Sequence, residues 1–312
     1  MFKKIVIACP SRRTAEKWAA AITENDQEFE VEIYPEDTAR EKTEFMLSFL
    51  PDPEVFKHYP NLKVVGSLGA GVRSIIDNPS LPKSVTVTKV VQKEHQKDMA
   101  EFVLGLILSH TRRLFLYTQY KADKMWKPRS YQSAFEVKVG IMGIGAIGSV
   151  IAQLLDKVGF QVTGWSRSKK ELGAIRTFYG EEQRDVFLKT ADILVCVLPL
   201  TDQTIGILNR DVFEKLPHGA FIINVGRGKE LVDEDLIACI DEGQLSGAAL
   251  DVFHREPLPQ DHPFWHHEKI MITPHTAGDT HPEKAALEVI ANYKAMKTGQ
   301  PLSHTVDRAK GY

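Results

Sequence analysis

The run VGIMGIGAIGSV, Val139 to Val150, constrains this chain more than any other stretch. An apolar, β-rich segment ends at Met142, three glycines follow at positions 143, 145 and 148, and an apolar-periodic segment continues to Gly159. That is a strand, a glycine turn and a helix. A G-x-G-x-x-G turn in this context predicts a βαβ unit in a parallel sheet that binds a dinucleotide. Each glycine has its own reason. Gly143 makes the tight turn, Gly145 admits a pyrophosphate to the backbone, and Gly148 lets helix and strand approach closely. The helix then presents free N–H groups and a partial positive charge to the phosphates.

In such units an acid usually closes the next strand and holds the ribose of NAD, about 20 residues further on. Here TGWSRSKK occupies that place, with Ser166 18 residues beyond Gly148 and Arg167, Ser168, Lys169 and Lys170 after it. A carboxylate would repel a 2′-phosphate, whereas serine hydroxyls and a planar guanidinium bind one. The cluster therefore points to NADP(H). The alternative is a solvated basic loop.

A chain of 312 residues is long for a single core, so two domains are expected. Strand-like runs KKIVIAC, EVEIYP, EFMLSFL, LKVVGSLGAGV and VTVTKV precede a long helix expected over about Lys97 to Tyr120. A second series follows: EVKVGIMGIG, FQVTGWS, ADILVCVLPL, GAFIINVGRG, GAALDVF and KIMITPH. The last helix, about Pro282 to Lys297, is expected to return to the first domain. This gives an α/β protein with two Rossmann-like or flavodoxin-like domains, mainly parallel sheets and a cleft between them. The expected split is 1–98 with 285–312 for a substrate-binding domain, and 99–284 for a dinucleotide-binding domain. KADKMWKPRSYQSAF is longer than a simple connection needs and reads as an arm that packs on something.

A formal net charge of -2 draws the chain neither to nucleic acid nor to a membrane surface. No apolar run reaches the ~18 residues of a membrane span. MFKKIVIACP has too short an apolar run for a signal peptide and reads as a first strand. Cys9, Cys196 and Cys239 are scattered and form no CxxC, which suggests reduced thiols in a cytoplasmic protein, with Cys9 and Cys196 as core residues.

Three residue types that serve hydride transfer to a ketone stand after strands of the second series. They are Arg227 in NVGRGKELVDEDL, Glu256 in DVFHREPLP and His275 in ITPHTAG. Reduction of an oxo acid needs a cation to bind and polarise the substrate, a proton donor for the carbonyl oxygen, and a carboxylate to orient that donor. LGAGV, Leu68 to Val72, closes a strand of the first series, and its glycines are expected to turn successive N–H groups toward a carboxylate. His262, His266 and His267 in DHPFWHHEK fit no common zinc spacing, so no metal is expected. RRT at Arg12 and TRR at Thr111 read as solvated helix faces.

With GxGxxG, NVGRG, DVFHREPLP and ITPHTAG in this order, at spacings of 29 and 19 residues between the last three residues named, the chain resembles the D-isomer-specific 2-hydroxyacid dehydrogenases over nearly its whole length. Its length, LGAGV, WSRS and the ending VDRAKGY look still more like the bacterial glyoxylate/hydroxypyruvate reductase A group. The resemblance implies NADPH-dependent reduction of glyoxylate to glycolate and of hydroxypyruvate to D-glycerate, in a homodimer. It implies that Arg227 binds the substrate carboxylate, that His275 donates the proton, and that Glu256 pairs with His275. It implies cofactor contacts at Gly143, Gly145, Ala146, Ile147 and Gly148, at Ser166, Arg167 and Ser168, at Leu198, Pro199, Val225 and Gly226, and at Asp251, where the family meets the nicotinamide amide. Substrate contacts fall on Leu68, Gly69, Ala70, Gly71 and Val72. Trp126 matches a tryptophan that some relatives insert into the neighbouring subunit's site. Two places depart from the pattern: Arg73 stands where many relatives have Asp, and Thr276-Ala277-Gly278 stands where many have Ile-Gly-Gly. The rival expectations are an NAD-linked dehydrogenase for D-lactate or D-glycerate derivatives, against which Ser166-Arg167-Ser168 speaks, and a non-catalytic dinucleotide sensor, for which an added interaction tail would be expected.

Overall fold

Alternation in the strands shows which way each sheet is buried. In β1 (Lys3–Ala8), Ile5 and Ile7 enter one apolar cluster while Val6 and Ala8 enter another. Successive strand side chains point to opposite faces, so a strand that is apolar at every position must be covered on both. The same holds for the strand before the glycine turn, where Val139 and Ile141 face one cluster and Met142 the other. These are helix-covered parallel sheets, and a computed structural model describing residues 3–308 and Gly311 shows them in full. Ala309, Lys310 and Tyr312 of the VDRAKGY ending lie outside the described residues.

The chain divides into two compact units, 1–95 with 280–312 and 96–279. The smaller one starts with β1, followed by α1 (Arg12–Asn25), β2 (Phe29–Ile33), β3 (Phe45–Ser48), β4 (Val64–Ser67), the single turn α2 (Arg73–Ile76) and β5 (Thr86–Thr88). Its sheet is parallel, in the order β2-β1-β3-β4-β5. Ser11 caps α1 by accepting the Thr14 N–H, the usual way a first-turn donor is satisfied.

The expected long helix is broken in two. α3 (Lys93–Thr111) and α4 (Leu114–Ala122) meet at Arg113, which is left-handed with φ 60°. That turn ends the i→i−4 series, and α4 leads into the arm. Arg112 stacks on Tyr131, and the Arg129 N–H donates to the Tyr117 hydroxyl at 2.9 Å, so the arm folds back on the helix that carries it.

The larger unit continues with β6 (Lys138–Met142), α5 (Ala146–Val158), β7 (Gln161–Ser166), β8 (Arg176–Tyr179), α6 (Arg184–Leu188), β9 (Ile193–Cys196), α7 (Arg210–Lys215), β10 (Ala220–Asn224), α8 (Asp233–Asp241), β11 (Leu245–Leu250) and β12 (Ile270–Ile272). The seven strands are parallel, ordered β12-β11-β10-β9-β6-β7-β8, with the switch between β9 and β6. β8 was not anticipated. Its RTFY sequence is too short and too polar at Arg176 to read as a buried strand, and it lies at the sheet edge. α9 (Pro282–Thr298) belongs to the smaller unit, where Ala285, Ala286, Val289, Ile290 and Tyr293 pack with Trp18 and Ala21 of α1. The unit boundaries at 95/96, within α3, and 279/280, just before α9, lie close to the expected 98/99 and 284/285.

Candidate active site

The carboxyl ends of parallel strands all open on one edge, and in a doubly wound sheet that edge holds the ligand. In the larger unit, the strand order sets the chain's candidate residues along it. His275 lies beyond β12, Asp251 beyond β11, Arg227 beyond β10, Leu198 and Pro199 beyond β9, Gly143 beyond β6, and Ser166 closes β7.

The glycine turn has the required geometry. Gly143 has φ +120°, and a Cβ there would sit 2.9 Å from the Val197 carbonyl oxygen. A Cβ on Gly148 would lie 2.0 Å from the Gly143 oxygen. Both are packing glycines. Gly145 is different: a Cβ there meets nothing within 4 Å, so its missing side chain leaves room for a ligand. Gly145 also caps α5 without a side chain, and the first helical bond runs from Ser149 N–H to the Gly145 carbonyl. The N–H groups of Ala146, Ile147 and Gly148 precede that bond and face the turn. An anionic pyrophosphate fits this cradle.

At the end of β7, Ser166 is buried and its hydroxyl donates to the Ser168 carbonyl at 2.7 Å. In the structure this hydroxyl shapes the turn, and the exposed Arg167 and Ser168 side chains present the outward-facing donors of the expected phosphate cluster. Arg167 Nη1 also reaches Gln203 Oε1 at 3.5 Å. Lys169 and Lys170 are exposed beside them, Lys169 at 3.8 Å from Glu171. Pro199 is exposed and its carbonyl accepts from the Thr204 hydroxyl; Leu198 and Val225 are buried, and Val225 N–H is spent on the Cys196 carbonyl.

His275 and Glu256 meet. Nδ1 lies 2.6 Å from Glu256 Oε2, and the other carboxylate oxygen accepts the Phe253 N–H at 2.9 Å. An ionised carboxylate only accepts, so the shared proton sits on Nδ1, and Nε2 is the nitrogen left to the substrate. Burial pushes the Glu256 carboxyl up, but the His275 ring, the Phe253 N–H and the Arg227 charge outweigh it and hold it below the ordinary range. His275 has φ 54°, a left-handed conformation that a histidine keeps only when its surroundings impose it. Asp251 imposes it. At 1 % exposure, its Oδ1 accepts from the Thr273 hydroxyl at 2.7 Å and the Thr276 N–H at 2.9 Å, and its Oδ2 from the Ala277 N–H at 2.9 Å. A nicotinamide contact at Asp251 would add to three bonds already made. The role as a loop anchor was invisible in the sequence, because it depends on β11 and β12 being neighbours.

Arg227 is half-buried and extended. Its N–H donates to Glu230 Oε2 at 2.9 Å and its Nη1 to the Gly226 carbonyl at 2.6 Å. Glu230 was not singled out by sequence, since in KELVDEDL it reads as one more acid at a helix start. It is fully buried, and burial pushes its carboxyl up to about 7 against the opposing pull of the Arg227 N–H, the Cys196 thiol and the Arg227 charge. The loops bearing Arg227 and Glu256 are in direct contact: a Cβ on Gly228 would sit 1.9 Å from the Phe253 carbonyl carbon, and His254 Nε2 lies 2.7 Å from the Leu231 oxygen. Of the histidines of DHPFWHHEK, His262 flanks Asp233 together with His254, at 3.3 and 3.6 Å, and His267 pairs with Asp241. Among the described residues, no three His, Cys, Asp or Glu side chains gather to hold a metal. Cys196 and Cys239 are buried free thiols, whereas Cys9, just past β1, is half-buried and packs against the edge of the smaller unit's core.

In the smaller unit, the LGAGV turn is only partly as expected. Leu68 N–H donates to the Ser48 carbonyl within the sheet, and Gly69 N–H to the Ser67 hydroxyl, so neither offers a free donor. Among the described residues, the N–H groups of Ala70 and Gly71 have no protein acceptor and remain for an anion. Val72 precedes the single turn α2, and Arg73 pairs with Asp77. In the arm, Trp126 is 99 % exposed.

The comparisons with known proteins agree with this geometry. Residues 104–277 match the family model for the D-isomer specific 2-hydroxyacid dehydrogenase NAD binding domain. A glyoxylate/hydroxypyruvate reductase A from Serratia proteamaculans is 36% identical over 303 residues, covering 96% of each chain. Among solved structures, a D-isomer specific 2-hydroxyacid dehydrogenase from Xanthobacter autotrophicus, in complex with NADPH and MES, superposes with a TM-score of 0.94 at 32% identity over 100% of both chains. An NADPH-dependent glyoxylate/hydroxypyruvate reductase from Sinorhizobium meliloti, in complex with NADP and sulfate, gives 0.92 at 34% identity over 99% of this chain and 100% of that one. The chain belongs to the D-isomer specific 2-hydroxyacid dehydrogenases.

Proposed function

We propose that this protein reduces small 2-oxoacids, glyoxylate to glycolate and hydroxypyruvate to D-glycerate, with NADPH. The observation that carries the reading is the 2.6 Å His275–Glu256 pair, set two strands from Arg227 on an edge whose β7 end bears Ser-Arg-Ser in place of an acid. The Gly145 cradle, Arg167 and Ser168 would hold NADPH, which when bound would supply the hydride. The chain's own groups do the rest. The Arg227 fork binds the substrate carboxylate and polarises the keto oxygen. His275 passes a proton from Nε2 to that oxygen, and the Glu256 anion orients the ring through Nδ1. The relative named glyoxylate/hydroxypyruvate reductase A supports the substrates, and the structure named an NADPH-dependent glyoxylate/hydroxypyruvate reductase supports both substrates and cofactor.

The test is a steady-state assay of purified protein with NADPH and NADH against a panel of 2-oxoacids. Turnover of glyoxylate and hydroxypyruvate with NADPH preferred is the expected result; preference for NADH, or none with any 2-oxoacid, refutes it. The reading includes a cytoplasmic location, in keeping with three free thiols, and a homodimer in which the arm and its exposed Trp126 reach the second subunit. An active monomer in sedimentation would remove that part alone.

A further inference from the structure

The structure builds the backbone of Arg227 more closely than its guanidinium. Its N–H donates to Glu230 Oε2 at 2.9 Å, and its carbonyl accepts from Asn224 Nδ2 at 3.2 Å. Asn224 Oδ1 also takes the neighbouring Gly226 N–H at 3.0 Å. Glu230 and Asn224 both have 0 % exposure. Arg227 stands between two glycines, whose backbones carry no side chain to restrain them. Its extended conformation, φ −139° and ψ 148°, is therefore held from outside, by these two side chains together with the Glu230 N–H, which donates to the Arg227 carbonyl at 3.2 Å.

Glu230 is an expensive residue to bury there. Among the described residues, its Oε1 is buried without a hydrogen-bond partner, and its Oε2 has only the Arg227 N–H and the Cys196 thiol at 3.5 Å. A leucine would fill the volume without the desolvation cost of an acid. What the carboxylate adds is an acceptor at a set point beneath Arg227. The fit is close: a Cβ on Gly226 would lie 2.3 Å from Oε2.

We propose that Glu230 is a positioning residue for the reduction, acting through the Arg227 N–H so that, with Asn224 on the Arg227 carbonyl, it sets the direction in which the guanidinium leaves the sheet edge. The proposal rests on the reading of Arg227 as the residue that binds the substrate carboxylate. A misplacement near 1 Å in a reacting constellation costs on the order of a hundredfold, so an anchor one bond behind the guanidinium matters.

Two substitutions separate reach from charge. Glu230→Gln keeps an acceptor at the same reach without the charge. Glu230→Asp keeps the charge and withdraws the acceptor by one methylene. For Glu230→Gln, KM for glyoxylate should stay within about threefold of wild type; for Glu230→Asp it should rise about tenfold or more, roughly the loss of one well-placed hydrogen bond. The Kd of oxalate for the NADP-loaded protein should weaken in parallel, with Kd for NADPH little changed. In an Arg227→Ala background, Glu230→Asp should have no further effect on kcat/KM, because there is no guanidinium left to place. If the Gln and Asp variants behave alike, or if the Asp loss persists in full without Arg227, the proposal is wrong. Should Glu230→Asp not fold, Asn224→Ser replaces it, with the same expected rise in KM; an unchanged KM overturns the proposal. A wild type that fails to reduce glyoxylate or hydroxypyruvate strikes the reading of Arg227 itself, which an active wild type with indifferent variants does not.

Discussion

At the β10–β12 end of the large sheet, carboxylates tie down the residues assigned to the chemistry. Glu230 takes the Arg227 backbone, Asp251 takes the loop on both sides of His275, and Glu256 takes the His275 ring. At the β7 end of the same edge, the groups assigned to the cofactor's phosphate are exposed, and the turn that carries them is held by Ser166 on the Ser168 carbonyl. The difference follows from what each end must do. Proton transfer and carbonyl polarisation need donors fixed within a fraction of an ångström. Recognition of a phosphate dianion needs opposite charge and several donors, and long side chains can gather around it as it binds.

The comparison breaks first at His275. His275→Ala should lower kcat by roughly 10²–10⁴-fold, the usual contribution of a positioned acid, while NADPH still binds. Steady-state kinetics with a parallel fluorescence titration reads both, and an unchanged kcat would mean that the fixed end is not the catalytic one. Glu256→Gln tests the electrostatics behind it. An anion beside a protonated ring stabilises its charge, so with the anion removed the alkaline fall of the reduction rate should move to lower pH. An unmoved profile would leave Glu256 as packing only.

Ser166→Asp probes the other end and should mainly change the ratio of kcat/KM for NADPH over NADH. It sets an anion against the 2′-phosphate, gives an NAD ribose an acceptor, and removes the donor that holds the Ser168 carbonyl. Loss of even one charged hydrogen bond, worth roughly 1.5–3 kcal/mol, corresponds to about ten- to a hundredfold. A ratio that does not move makes SRSKK a solvated loop.

Asp251→Asn sharpens the fixed end by a smaller step. One of its oxygens becomes an NH2 group facing the N–H of Thr276 or Ala277, a buried donor against a donor, at about 1–3 kcal/mol. In a unit of this size each kcal/mol lowers Tm by roughly 2–4 °C, and kcat should fall less than in His275→Ala. An unchanged Tm by calorimetry would show that Asp251 does not hold the loop. Arg167→Ala should have the mildest effect of these, a raised KM for NADPH with NADH kinetics little altered; equal changes for both cofactors would detach Arg167 from the phosphate.

Much of this edge was legible in the letters. The strand–glycine–helix order, the Ser-Arg-Ser in the acid's place, and Arg227, Glu256 and His275 each after an apolar run are local patterns, and local patterns survive without coordinates. The place of each glycine in the motif already separates the packing glycines from the ligand glycine; the neighbours add the distances, with Gly148 pressed on the Gly143 oxygen and Gly145 meeting nothing. β8 escaped notice because an edge strand has too little apolar patterning to announce itself, and the break at Arg113 because a left-handed arginine carries no sequence signal.

The sequence by itself therefore determined the class of the protein: parallel α/β units, a dinucleotide turn and the residue types of a hydride-transfer site. Periodicity and short motifs act within a few residues of one another, where chain connectivity already specifies the distance. The pairing of Glu256 with His275 was already implied by the family resemblance, and the structure gives its 2.6 Å geometry. Only the tertiary structure decided how the other two carboxylates are used: Asp251 reaches Ala277 across 26 residues, and Glu230 turns inward under Arg227 rather than out to solvent. Those pairings depend on the order of β10, β11 and β12 and on how their loops pack, and a buried acid and a solvated one are written with the same letter.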